Sequence, residues 1–375
     1  MLRTRARRTL VALPLAAALV ATVSTPLGGA ASPSISSMAV NDYTVSPSYA
    51  TDGTIFAWAE DTSGNCPVGN LNDCGAVFRS TDRGATWTAL PSAPSGLIWS
   101  VVLPSAYPGD ATLYAPGDGS LPGSTTLWRS DDTGGGWRQT GLGISGLTAA
   151  ARPGQAAGHA QIVIQGNRGF STYDEASETT TAGPTVPLGD QPYNPAFVDA
   201  DTFFTTALTP AEEATTFVSG LAPAHSQLLR CTLTACTDEG TLSNWEDSVF
   251  VSPDYASDHA IALWGNDLEV STDGGASFTT ITGLPFFAVD GVTFTADAAT
   301  GPRLVVTGVV SGNTTATTQV VFSGSSYTLS TVDTTPYGMV RSLAYTPDGH
   351  IWGARILGNG TLCSADLGST WAATC

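Results

Sequence analysis

The stretch Val77–Leu90, VFRSTDRGATWTAL, recurs with few changes at Leu127–Thr140, LWRSDDTGGGWRQT. Both contain the octet Ser-x-Asp-x-Gly-x-x-Trp, carried first by Ser80, Asp82, Gly84 and Trp87 and then by Ser130, Asp132, Gly134 and Trp137. Two further copies stand at Ser271, Asp273, Gly275 and Phe278, and at Ser364, Asp366, Gly368 and Trp371. Successive aspartates are 50, 141 and 93 residues apart, or one, three and two steps of about 47. Seven units are implied, three of them with the octet missing or degenerate. Relics fill the gaps: FSTYDEAS around Asp174, LLRCTLTACTDEG around Cys231 and VVFSGSSYTL around Ser323.

A second signal keeps the same period. VSPSYATDGTIFAWA from Val45 and VSPDYASDHAIALWG from Val251 share Ser-Pro-x-Tyr-Ala-x-Asp, with looser forms in LPSAYPGDATLYAPG and LAYTPDGHIWGAR. Repeats of about 40 to 50 residues built from short β runs and turn residues indicate an all-β chain, a seven-bladed β-propeller of four-stranded antiparallel blades. The approximate blades are 36–92, 93–142, 143–188, 189–240, 241–284, 285–333 and 334–375. With strands A to D in each, strand C enters the octet and strand D leaves from its aromatic residue. The aspartate then accepts bonds from turn amides, the serine assists, and the glycine takes a positive φ. Four copies on separate blades cannot converge on one substrate, so the octet reads as a folding device.

The first 31 residues are set aside. Arg3, Arg5, Arg7 and Arg8 precede an apolar run from Leu10 to Val23 and then Gly28, Gly29, Ala30 and Ala31, the layout of an export signal. Arg7-Arg8 keeps a twin-arginine route open beside the Sec route. No later apolar run approaches the ~20 residues that cross a bilayer, so a secreted or loosely wall-associated monomer is expected. Beyond residue 31 there are ten basic side chains against 32 acidic ones, a net charge of −22, and no lysine at all. Such a surface repels nucleic acid and anionic membranes. Six cysteines in an exported chain point to disulfides, and the spacings favour Cys66 with Cys74, Cys231 with Cys236 and Cys363 with Cys375.

The octets resemble the Asp-box, or BNR, repeats of the sialidase-like propeller superfamily, which includes sialidases, sortilin-type receptors and photosystem assembly factors. The resemblance covers the whole chain after the export signal at the level of repeats. It implies a rigid scaffold whose members differ in what they bind. A sialidase of this family needs three arginines clamping a carboxylate, a Tyr nucleophile paired with Glu, and an Asp acid/base. Its first arginine comes in a Phe/Tyr-Arg-Ile-Pro stretch on the first blade. This chain has none; its first arginine after the signal, Arg79, lies at an octet.

Antiparallel strands put A–B turns and octets on one face and B–C loops and D–A connections on the other. The longest loops, AEDTSGNCPVGNLNDCGA and PGDGSLPGSTT, are B–C loops, so binding is expected on the face opposite the octets. Candidate ligand-binding residues there are Arg168, Trp245, Glu246, Asp267, Tyr337, Arg341 and Arg355, with Glu60, Asp61 and Trp99 beside them. The alternative for the acids is a solvated loop charge, and for the tryptophans core packing. His159, His225, His259 and His350 are scattered, and the acid pairs Asp131-Asp132 and Asp199-x-Asp201 lack the spacing of a calcium loop. No metal or cofactor is expected. The leading expectation is a non-catalytic propeller binding a protein, peptide or glycan; the alternative is an exo-sialidase-like glycoside hydrolase with a rearranged site. The chain ends on a strand D, and residues near Met38 to Tyr43 are candidates to pair with the last blade and close the ring.

Overall fold

The computed structural model describes residues 33–61, 75–92, 94, 98–119, 124–143, 148–187, 191–208, 226–242, 246–296, 301–311, 314–333, 340–355 and 358–375. They form seven antiparallel sheets, each drawn from one contiguous piece of chain. Blade 1 is β1 (Ala39–Val45), β2 (Ile55–Glu60), β3 (Gly75–Ser80) and β4 (Thr88–Ala89). Blade 2 is β5 (Leu113–Asp118), β6 (Thr125–Ser130) and β7 (Arg138–Gly143). Blade 3 is β8 (Ala149–Ala151), β9 (Gln161–Gln165), β10 (Gly169–Asp174) and β11 (Thr179–Thr185). Blade 4 is β12 (Gln191–Pro192), β13 (Ala196–Phe197), β14 (Phe203–Leu208), β15 (Gln227–Cys231) and β16 (Cys236–Thr241). Blade 5 is β17 (Glu246–Val251), β18 (Ile261–Gly265), β19 (Leu268–Ser271) and β20 (Thr279–Thr280). Blade 6 is β21 (Ala288–Thr295), β22 (Arg303–Ser311), β23 (Thr314–Ser323) and β24 (Ser326–Asp333). Blade 7 is β25 (Val340–Tyr345), β26 (Ile351–Arg355) and β27 (Thr361–Ser364).

Four-stranded blades are thus the rule with local reductions. The inner strand of blade 2 survives as two bridges, Ile98 to Gly117 and Val102 to Tyr114, and the outer strand of blade 7 as the bridge Cys363 to Ala372. In blade 4 the inner strand is split into β12 and β13, both paired to β14. Pro195 stands in the break, where a residue without an N–H cannot continue the ladder.

The second strand of each blade is buried on both faces, which explains apolar runs such as Ile55–Ala59 and Ile261–Leu263 where alternation would otherwise be expected. Each face packs against a neighbouring blade. The core is accordingly seven layers, one per blade junction, from Phe56, Trp58 and Leu113 between blades 1 and 2 to Val305, Ile351 and Trp371 between blades 6 and 7. The seventh layer closes the ring: Tyr43, Phe78 and Ile55 meet Trp352 and Ala354. Residues 39–45 pair with β2 as the inner strand of blade 1 and do not add a strand to blade 7. Side chains make most of the closure. Tyr43 Oη donates to Gly353 O at 3.0 Å, Tyr49 Oη to Asp348 Oδ2 at 2.9 Å, and Arg341 Nη2 to Asn41 Oδ1 at 2.6 Å.

All four octets make one network. In blade 1, Ser80 Oγ donates to Asp82 Oδ1 at 2.8 Å and accepts from the Gly84 amide at 2.7 Å, while Asp82 Oδ1 accepts the Thr86 amide at 2.8 Å. Against the cost of burial, the bonds from Thr86 and Ser80 hold the Asp82 carboxyl below the ordinary carboxylate range. Gly84 has φ +82°, and a Cβ there would lie 2.0 Å from Cζ2 of Trp352, so this glycine answers both to its own turn and to the preceding blade. Three of the four octets also lean on their own A–B turns: the amides of Arg83, Thr133 and Gly274 donate to the carbonyls of Gly53, Ala111 and His259. The Ser-Pro-x-Tyr-Ala-x-Asp segments are those turns, single helical turns at Tyr49–Asp52 and Tyr255–Asp258 in which Asp52 and Asp258 accept from Ser46 and Ser252 at 2.6 Å.

Blades lacking the octet reverse by other means. In blade 3, Asp174 Oδ1 accepts the Ser177 amide at 3.0 Å; in blade 4, Cys231 is bonded to Cys236 across the hairpin; in blade 6, Ser323 pairs directly with Ser326. Cys363 is bonded to Cys375 beside the reduced outer strand. The expected Cys66–Cys74 pair lies outside the described residues. No helix among the described residues is long and apolar enough to cross a membrane.

Candidate functional site

With octets and A–B turns sharing one face, the B–C and D–A connections occupy the other. On that face a cleft of about 480 Å³ opens between blades 5 and 6. Its floor comes from the end of β18 and the start of β19, with Trp264 and Asp267, and its wall from the connection into β21, with Leu284, Phe286, Phe287 and Val289. Phe287 is 73% exposed, the exposed large hydrophobic side chain among the described residues. Asp267 is joined to Glu246 beneath it: the Asp267 amide donates to Glu246 Oε1 at 3.3 Å.

Glu246 is 0% exposed and its Oε2 has no hydrogen-bond partner among the described residues. Burial, together with the negative charges of Glu269, Asp267 and Asp247, pushes its carboxyl up to about 8, against the lowering effect of the Asp267 amide. At neutral pH it is mostly a protonated acid. Because it is fully buried, Glu246 does not present a charge to the face; it supports the Asp267 turn from below.

The inner strands bulge near this face. Pairing skips between Val40 and Asp42, Glu246 and Ser248, Val289 and Gly291, and Arg341 and Ala344. A bulge leaves a residue unpaired and re-aims its side chain. The skipped residues include Asn41, Asp247, Asp290 and Ser342. Burial raises the carboxyls of Asp247 and Asp290, and that of Asp42 beside the first bulge to about 7. The Asn41–Arg341 bond and the bond from Ser342 Oγ to Asn41 O at 2.6 Å join two of these bulges across the closure.

Of the sequence-derived candidates, Glu246 and Asp267 are brought together. Arg168 is exposed in the turn between β9 and β10, Arg341 is bonded to Asn41, and Arg355 ends β26 beside a different cleft, between blades 7 and 1. No hydrogen bond or ion pair among the described residues links these three arginines. Trp245 and Tyr337 lie outside the described residues. Asp131 is engaged by Arg129 Nε at 2.5 Å and Arg138 Nε at 3.3 Å, and Asp199 by the amides of Asp201 and Thr202. Among the described residues no three metal-ligating side chains converge. Sequence reasoning missed Phe286, Phe287, Asp42, Asp247 and Asp290. The signal for the last three was available as polar residues recurring early in otherwise apolar inner strands.

No protein-family model matches the sequence, and no curated protein matches it. Among solved structures the chain is similar to YCF48 from Cyanidioschyzon merolae, at 13% identity and TM-score 0.55 over 88% of this chain and 96% of that one. It is similar to YCF48 bound to D1 peptide at 11% identity and TM-score 0.51 over 88% and 93%. With the Niastella koreensis GH74 enzyme it shares 13% identity at TM-score 0.48, spanning 89% of this chain and only 65% of that enzyme, too weak a likeness to carry a shared activity. What the two YCF48 likenesses establish is the propeller fold.

Proposed function

We propose that this chain is an exported, non-catalytic propeller of the Asp-box superfamily that binds a peptide segment of a protein partner on the face opposite the octets. The observation that carries this reading is the exposed Phe287 at the lip of the blade 5/6 cleft, backed by Trp264 and Phe286 and edged by Asp267. Exposed aromatic side chains beside a concave site with a few polar groups are the usual ingredients of a binding surface. The complex of YCF48 with D1 peptide is an example of a peptide held by a chain of this fold. The strongly negative charge favours a neutral or cationic partner.

The test is binding of the purified chain to matched peptide and glycan arrays, with Phe287→Ser on the candidate face and Ser257→Arg on the octet face. Peptide binding lost in Phe287→Ser and retained in Ser257→Arg supports the reading. Binding indifferent to Phe287, or turnover of a fluorogenic sialoside, refutes it.

A further inference from the structure

The cleft between blades 7 and 1, about 470 Å³, has a different chemistry. Its lining includes Ser34, Ser36, Trp87, Arg355, Thr361 and Thr374 and, in a chain with 32 acidic residues, no Asp or Glu among the described residues. Three other arginines are held closely by carboxylates: Arg129 by Asp131 and Glu175, Arg138 by Asp131 and Glu178, Arg152 by Asp201. Arg355 is held by none, and its buried Nε has no hydrogen-bond partner, among the described residues. The same is true of the indole Nε1 of Trp87, whose ring is fixed by Trp352 at 5.6 Å and Tyr43 at 6.1 Å between centroids. The hydroxyls of Ser34 and Ser36 are 2.8 Å apart, so one donates to the other and the second proton is left for an acceptor.

A buried guanidinium Nε–H and a buried indole N–H without acceptors among the described residues are costly unless something supplies the acceptor. We infer that this cleft binds a carboxylate. The Arg355 fork takes its two oxygens, with the Trp87 indole and the Ser34–Ser36 pair as additional donors. The volume suits a small molecule or the end of a chain. A uronic acid and the free C-terminus of a peptide share this chemistry. The inference does not depend on the blade 5/6 cleft.

The test follows the Trp87 indole N–H by NMR, assigned through Trp87→Phe, in buffer free of carboxylates. The probes are galacturonate, its methyl ester, and an N-acetylated tripeptide with either a free or an amidated C-terminus. The Trp87 signal is expected to move with at least one free acid, with affinity about tenfold weaker for the matching ester or amide and for Arg355→Met. A response to galacturonate alone assigns a sugar acid, and a response to the free tripeptide alone assigns a chain terminus. No movement with either acid, equal movement with ester or amide, or unchanged affinity in Arg355→Met overturns the inference. Should Arg355→Met fail to fold, the acid-against-ester comparison on the native chain and Arg355→Lys, which keeps the charge but not the fork, decide it.

Discussion

Gly84 and Gly275 hold the same octet position and nearly the same backbone, with φ of +82° and +94°, yet their replacement by alanine is expected to differ in cost. At both sites alanine must adopt a left-handed conformation, which costs about 1–2 kcal/mol. At Gly275 the added Cβ meets nothing nearer than Phe204 Cε1 at 3.4 Å, an ordinary contact. At Gly84 it would lie 2.0 Å from Cζ2 and 2.2 Å from Cη2 of Trp352, a ring that is 0% exposed and packed between blades 7 and 1. Trp352 cannot turn aside without moving Tyr43 and Trp87, so an overpacking cost of about 1–3 kcal/mol is added. Gly84→Ala is therefore expected to lose about 2–5 kcal/mol and Gly275→Ala about 1–2 kcal/mol. The assay is urea unfolding of both variants by tryptophan fluorescence, with Trp352→Phe as the third corner of a double-mutant cycle. Trp352→Phe should recover part of the loss at Gly84 and none at Gly275. Equal losses in the two variants, or no coupling between Gly84 and Trp352, would refute the claim that the first octet is held by the blade before it.

Stability should respond to pH in two opposite directions. Glu246 is raised from its ordinary value near 4.5 to about 8 in the fold, so between those values the native state holds the extra proton and stability falls as pH rises. The melting-temperature advantage of Glu246→Gln over the native chain should grow from pH 5.5 to pH 8.5; a constant difference contradicts the assignment. Asp82 is lowered, so its contribution is present above the usual carboxylate range and disappears as pH falls through its folded value. Asp82→Asn should be destabilising at pH 7 and converge with the native chain in strong acid, which acid titration by circular dichroism would check. The two described disulfides enclose separations of 5 and 12 residues, for which chain entropy predicts about 2 and about 3 kcal/mol. Thermal unfolding of Cys231→Ser/Cys236→Ser and Cys363→Ser/Cys375→Ser measures both, and a larger loss from the shorter loop would count against the entropic account.

The octets made the blades legible because their spacing is a property of the chain: a Ser, an Asp and a Gly at fixed offsets satisfy one another within eight residues. The replacements were readable for the same reason, since Cys231 and Cys236 are close enough in sequence to close a hairpin without help from elsewhere. The candidate site was less legible. Asp267 stood in a recognisable turn, but the adjacent Phe286 and Phe287 look alike in sequence and differ in fate, Phe286 packing against the blade 5/6 core while Phe287 stays exposed. Glu246 read as a ligand-binding candidate, with a solvated loop charge as the alternative, because nothing local marks it as buried; its backbone is bonded to Ser226 of blade 4 and its carboxyl to the Asp267 amide of blade 5.

What the sequence determined by itself was therefore everything encoded at short range: the repeat, the count of seven, the direction of each hairpin and which connections share a face. What only the tertiary structure decided was every relation between blades, because those contacts join residues about 50 or 300 positions apart. Tyr43 with Gly353, the Arg341–Asn41 bond and the Arg355 Nε, without a partner among the described residues, belong to the closure of the ring, where the first and last blades meet. Local hydrogen bonds are satisfied within a turn and leave a pattern in the sequence; packing between blades is settled by shape and burial, and leaves none.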